Sequence, residues 1–140
     1  MSLSDMTHNN GTNTLYDAVF GVHSQSTKTF LYTEQGEVSY ADFTRLTNKL
    51  AQALIHAGLQ TSERVAVQAK KSVMQLALYA ATIKAGGVYL PLNTSYTAHE
   101  LDYFISNAKA SIVIVDDTAK DAVMPIADAA GATLLTLNAD

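Results

Sequence analysis

The chain has 140 residues, 48% of them hydrophobic and 16% charged, with a formal net charge of -4. That length supports one domain with a core, burying roughly two thirds of the surface its unfolded form exposes, and the composition lies far from the disordered class. Arg45 and Arg64 are its two arginines, so the chain has no basic stripe of the kind that neutralises phosphates along a duplex, and nucleic acid is excluded as an expected partner.

Cysteine is absent, which removes disulfides, thiolate metal sites and a cysteine nucleophile, and fits a cytoplasmic setting. The polar stretch 1–13 has neither the apolar core of a secretory signal nor the arginines of a transit peptide. It is expected to be a flexible arm, with the folded body over 14–140. The longest apolar runs, such as 112–115, fall far short of the roughly 20 residues that span a bilayer, so no membrane span and a soluble protein are expected.

In chain order, Leu15, Val19 and Val22 recur at helical spacing and predict a short helix over 14–23. Residues 29–33 and 38–40 flank the turn-like Glu34-Gln35-Gly36-Glu37 and predict a hairpin. Ser39, with Asp42 three residues on, caps a helix whose apolar face is Phe43, Leu46, Leu50, Ala53, Leu54 and Ala57, and Gly58 ends it. The run 64–69 predicts a strand. Ser72 with Gln75 then forms a capping box opening a helix through Met74, Leu76, Leu78, Tyr79 and Ile83 to Gly86-Gly87. Two glycines there suit the left-handed residue that closes a helix.

A strand over 88–92 follows. Pro91 has no backbone donor, so this strand must end there, lie at an edge, or leave the ladder. Thr97 and Glu100 form another capping box for a helix carrying Leu101, Phe104, Ile105 and Ala108. The continuous apolar run 112–115 has the pattern of a strand buried on both faces. A last helix over 118–130, with Pro125 in its first turn or at a kink, leads to a strand over 133–137. Strand and helix thus alternate from residue 64 onward, which predicts a doubly wound, mostly parallel α/β sheet flanked by helices, with right-handed crossovers.

Candidate chemistry is sparse. Neither common glycine-rich phosphate loop occurs, and Gly86-Gly87 stand after a helix and before a strand, the reverse of a phosphate cradle. Asp116-Asp117 after the run 112–115 resembles the acidic pair of a response-regulator receiver, but only 23 residues follow Asp117, too few for that fold. Capping the next helix is the better expectation for one of them. His8, His23, His56 and His99 show no recurring metal spacing. Lys70-Lys71 follow a strand at the end where open α/β sheets bind ligands, although a solvated loop pair is the favoured reading. Asn93-Thr94-Ser95 matches a glycosylation sequon by chance, and no G-x-S-x-G elbow is present.

The segment Ile83-Lys84-Ala85-Gly86-Gly87-Val88-Tyr89-Leu90-Pro91-Leu92-Asn93 resembles the second core motif of the adenylate-forming enzymes: the AMP-forming acyl-CoA synthetases, luciferases and peptide-synthetase adenylation domains. Val38-Ser39-Tyr40-Ala41-Asp42-Phe43 resembles the first motif, with Phe43 where leucine is usual. The order of elements agrees over about 15–137. Within the superfamily, Lys71-Ser72-Val73, Leu78-Tyr79-Ala80-Ala81-Thr82, Tyr89-Leu90-Pro91-Leu92-Asn93-Thr94, Tyr96 and Leu101-Asp102-Tyr103-Phe104-Ile105 look most like malonyl-CoA synthetases.

The resemblance implies the leading part of the large N-terminal domain of an acid-thiol ligase. Such an enzyme uses ATP, Mg²⁺ and CoA to convert a small carboxylic acid, here malonate or similar, into its CoA thioester through an acyl-adenylate, releasing AMP and pyrophosphate. The family's phosphate loop, adenine and ribose contacts, Mg²⁺ carboxylate and catalytic lysine come later in the chain than residue 140. No catalytic, cofactor-binding or metal residue is therefore assigned within 1–140, and the stretch alone is expected to be inactive and to partner the remainder of the synthetase chain. Two alternatives stand beside this: a non-catalytic α/β interaction module or half of a split enzyme, and an amino-acid adenylation domain.

Overall fold

The computed structural model describes residues 13–138; the arm expected over 1–13 lies almost wholly outside them. Helix α1 (Thr14–Val19) leads through a 3₁₀ turn to the antiparallel hairpin β1 (Thr29–Thr33) and β2 (Gly36–Ser39). There follow α2 (Tyr40–His56), β3 (Arg64–Gln68), α3 (Val73–Lys84), β4 (Val88–Pro91), α4 (Ala98–Ala108), β5 (Ile112–Asp116), α5 (Lys120–Ala130) and β6 (Thr133–Leu137). The last four strands form one parallel sheet in the order β4-β3-β5-β6.

The two faces of the sheet are covered by different helices. Val65, Val67, Ile112 and Ile114 pack with Leu54 of α2 and Leu78 of α3. The alternate residues Ala66, Val113 and Val115 pack with Leu101 and Ile105 of α4 and Val123 and Ala127 of α5. This is the period-two alternation of a pleated strand, with both faces apolar because both are covered. A third cluster, Tyr16, Phe43, Ala77 and Ala80, joins α1, α2 and α3 on the outer side of the first helical layer.

That outer layer corrects three expectations. Leu15, Val19 and Val22 are exposed, whereas Tyr16 is buried and Phe20 packs beside it. The Asn13 side chain accepts a bond from the Tyr16 amide and donates to the Ile83 carbonyl. This contact sets the rotation of α1 and turns Tyr16 toward Phe43. In α2, Thr47 and Ala51 are buried and Ala53 is exposed, since the face in use runs Phe43, Thr47, Ala51, Leu54. In α3 the small residues Ala77, Ala80, Ala81 and Thr82 are buried and Tyr79 is not. With the sheet on one side and α1 and α2 on the other, α3 has no single stripe to read.

Helix ends follow side-chain chemistry closely. Ser39, Ser72 and Thr97 each accept a bond from the amide three residues on. The reciprocal half of the box forms at Thr97 alone, where Glu100 Oε2 accepts from the Thr97 amide at 2.7 Å and from its hydroxyl at 3.0 Å. Gln75 instead turns its amide to the Ala69 carbonyl at 3.4 Å, so the full box expected at Ser72 is half made. Asp116 and Asp117 cap nothing: a 3₁₀ turn (Asp117–Ala119) precedes α5, which has no side-chain cap. Pro125 lies beyond the first turn, and α5 continues through it. The ring leaves the Asp121 carbonyl without its helical donor, close enough to the start of the helix for solvent to serve.

The two glycines divide their work. Gly86 alone takes the left-handed conformation, at φ 82°, and the amides of Gly86 and Gly87 close the helix onto the carbonyls of Ile83 at 3.0 Å and Thr82 at 2.9 Å. Gly87 is needed for proximity, since a Cβ there would meet Leu59 Cδ2 at 3.0 Å, Thr82 Cγ2 at 3.2 Å and the Glu63 carbonyl at 3.3 Å. At the end of α4 the same left-handed position is filled by Lys109, at φ 51°.

Opposite effects are expected at these two helix ends. Gly86→Ala should lower stability by about 1–2 kcal/mol and Lys109→Gly should raise it by about 0.5–1 kcal/mol, read from urea midpoints at unchanged slope. The Thr97 backbone and hydroxyl hold the Glu100 carboxyl below its ordinary range. A carboxyl so depressed stabilises the fold above its unfolded-state pKa, and that contribution is lost as pH falls through the lower folded value. The stability gap between wild type and Glu100→Ala should therefore be full at neutral pH and should shrink below about pH 4.

Candidate functional site

An open parallel sheet offers a ligand crevice at the carboxyl ends of its strands, where the winding reverses. Here β3 connects outward to β4 on one side, and β5 follows on the other, so the reversal lies between β3 and β5. The rim at that point is built from Gln68, the last residue of β3, through Ser72, the Asn93 loop after β4, and Asp116-Asp117 at the end of β5.

These loops are tied to one another. Lys70 donates its amide to Asp116 Oδ2 at 3.1 Å, bridging the ends of β3 and β5. The buried Gln68 side chain donates to the Asn93 carbonyl at 2.9 Å, bridging β3 and the loop after β4. Asn93 Oδ1 in turn accepts from the amide of Ser95 at 2.9 Å and from its hydroxyl at 2.8 Å, an Asx turn that shapes this loop. The sequence singled out Lys70-Lys71 and Asp116-Asp117, and the fold brings the two pairs to one rim. The role of Asp116 differs from the expectation: it holds the Lys70 backbone and does not cap a helix.

The side chains of Lys70 and Lys71 are exposed. The histidines are scattered: His23 lies against Tyr40 with ring centroids 4.8 Å apart and planes tilted by 38°, His56 Nδ1 lies 2.9 Å from the Gln52 carbonyl, and His99 is exposed. His8 lies outside the described residues. Gln68 and Asn93 carry no signal of their own, because their pairing depends on how β3 and β4 align.

Two concavities lie away from this rim. One, of about 480 Å³, opens at the amino ends of the strands between Gly58, Glu63, Ser111, Lys109 and Gly131. The other, of about 400 Å³, is an apolar groove beside β4 lined by Leu15, Tyr79, Ile83, Val88 and Tyr89.

Fold and rim define an open α/β scaffold with a parallel sheet covered on both faces, and comparison with known proteins narrows it. A family model described as AMP-binding enzyme matches residues 21–139, and the chain belongs to that family. The apo crystal structure of MatB from Rhodopseudomonas palustris aligns with a TM-score of 0.85 and 44% identity, covering 90% of this chain and 25% of that one. The described fold matches the N-terminal part of adenylate-forming enzymes. Tyrocidine synthase 1 of Brevibacillus parabrevis is 31% identical over 90 residues, 64% of this chain and 8% of that protein. The phenylacetyl-CoA ligase epaB of Aspergillus niger is 34% identical over 94 residues, 67% of this chain and 17% of the ligase. The chain thus spans a quarter or less of each of these proteins.

The family uses ATP, Mg²⁺ and CoA. The rim does not fit these groups by itself. No cluster of three or more histidine, aspartate or glutamate side chains that could hold a metal is found among the described residues. The buried side-chain polar atoms without a partner, Tyr16 Oη and Thr47 Oγ1, belong to α1 and α2 and not to the rim.

The Lys70–Asp116 bond gives a direct test of the rim. Asp116→Ala should speed exchange of the Lys70 amide by about fivefold, the equivalent of a net hydrogen bond of about 1 kcal/mol, with the amides of α4 unchanged.

Proposed function

We propose that this chain is the leading α/β part, over residues 14–140, of an AMP-forming acyl-CoA synthetase in which the malonate carboxylate attacks the α-phosphate of ATP to give malonyl-adenylate and pyrophosphate, and the CoA thiol then displaces AMP. The observation that carries this reading is the 44% identity to MatB, a malonyl-CoA synthetase, over 90% of the chain. Support at the level of residues comes from the Gly86-Gly87 helix end, the Pro91 strand end and the Thr97 capping box standing in the family's order. In this reading, the chain's own residues build a rigid strand-end rim, and the nucleotide, metal and second carboxylate of the acid are held by groups beyond residue 140. Recognition of that second carboxylate calls for a cation, most effectively a bidentate arginine. Neither Arg45 nor Arg64 serves: Arg45 pairs with Asp42 on the surface of α2, and Arg64 begins β3 at the opposite end of the sheet.

The match to tyrocidine synthase 1 supports a second reading, an adenylation domain that activates an amino acid. One assay separates the two. Purified alone, the 140-residue chain should give no malonate-dependent exchange of pyrophosphate into ATP, and the protein encoded by its complete reading frame should give it. Malonate-dependent exchange by the isolated chain overturns the reading that the functional groups lie beyond residue 140, and none from the complete protein with malonate overturns the malonate reading. Exchange driven by an amino acid establishes the second.

A further inference from the structure

We propose that the apolar groove beside β4 is the docking site of this chain's own residues 1–12, with Leu3 and Met6 as the side chains that fill it. The groove, of about 400 Å³, is lined by Leu15 of α1, Tyr79 and Ile83 of α3, and Val88 and Tyr89 of β4. That volume lies in the range of sites that take a small molecule, enough for a few apolar side chains.

The walls are apolar and open. Leu15 is 55% exposed and Val88 48%, and Tyr79 stands edge-on to Tyr89 with ring centroids 5.3 Å apart. Leu15 and Val19 lie one turn apart on the same face of α1, so the apolar surface runs on from the groove along that helix. Neither side chain belongs to any of the three apolar clusters formed by the described residues. A segment laid in the groove gives these outward-facing side chains a partner.

The point at which the preceding chain enters decides the occupant. Asn13, the first described residue, itself lines the groove, and its side chain donates to the carbonyl of Ile83, another lining residue. The junction is therefore fixed at the groove's rim, and residues 1–12 are held there at the high local concentration of a short tether. The residues from Met6 to Thr12 reach at most about 25 Å when extended. Asn10-Gly11 favours a tight reversal, which turns the segment back along the groove. The large apolar side chains of the segment are Met1, Leu3 and Met6, and the thioether of Met6 suits the edge of an aromatic pair such as Tyr79 and Tyr89.

The family match begins at residue 21. Residues 1–12 and Leu15 thus lie outside it, whereas Tyr79, Ile83, Val88 and Tyr89 lie within it. The contact is accordingly a feature of this chain and not of the family model: a strap that binds α1 to the margin of α3 and β4.

Hydroxyl-radical labelling of the complete protein tests this, with Tyr32, 80% exposed on the hairpin, and buried Tyr16 as references. Removing residues 1–12 should raise labelling of Tyr79 at least about threefold with both references unchanged, since the tethered segment covers the groove most of the time. The double variant Leu3→Ser, Met6→Ser, which keeps the segment's length, should do the same. Unchanged labelling of Tyr79 in either protein overturns the proposal, whether Tyr79 is open throughout or covered throughout by chain beyond residue 140. Protection of Tyr79 that is lost on dilution assigns the groove to a second copy and also overturns it. Pyrophosphate exchange has no part in this readout, so the strap and the malonate reading stand or fall separately.

Discussion

The adjacency of β3 and β5 is the constraint on which the rest of the structure depends. Each is apolar on both faces, and their register pairs Val65 with Ile112 and Val67 with Ile114. A slip of one residue would exchange the residues serving the α2 and α3 layer with those serving the α4 and α5 layer. It would set valine and isoleucine against space shaped for Ala66. Placing β5 beside β3, with β4 on the far side, also creates the reversal of winding and therefore the rim. The location of the candidate site is thus a consequence of core packing.

Much of this was legible because the signals were local. Ser39, Ser72 and Thr97 announce helix starts through their own hydroxyls, Gly58 and Gly86 announce helix ends through backbone freedom, and the run 112–115 announces a doubly covered strand. What sequence periodicity misjudged was rotation in the outer layer. The orientation of α1 is set by Asn13 reaching Ile83, 70 residues away, and no window of neighbouring residues contains that contact. The half-formed box at Ser72 has a nearer cause, since Gln75 turns back to the Ala69 carbonyl across the loop between β3 and α3.

The rim was legible in position and obscure in detail. Lys70-Lys71 and Asp116-Asp117 each follow an apolar run, so the topology alone predicts that both pairs reach the same end of the sheet. That the Asp116 carboxylate would take the Lys70 amide follows only once β3 and β5 are neighbours. Gln68 and Asn93 lie 25 residues apart and become partners through the alignment of β3 with β4.

The same bonds show how a rim of this kind can serve as a scaffold. Its best-oriented polar groups are already spent on one another: Lys70 with Asp116, Gln68 with Asn93, Gln75 with Ala69. The exposed ammonium groups on Lys70 and Lys71 are flexible point charges without a fixed partner geometry. Such groups can attract an anion, but holding a nucleotide in a reactive pose requires donors fixed before it arrives. The bonds that join the loops to one another and the engagement of these side chains are two aspects of one arrangement. It supplies one fixed wall against which functional groups from further along a chain could be set.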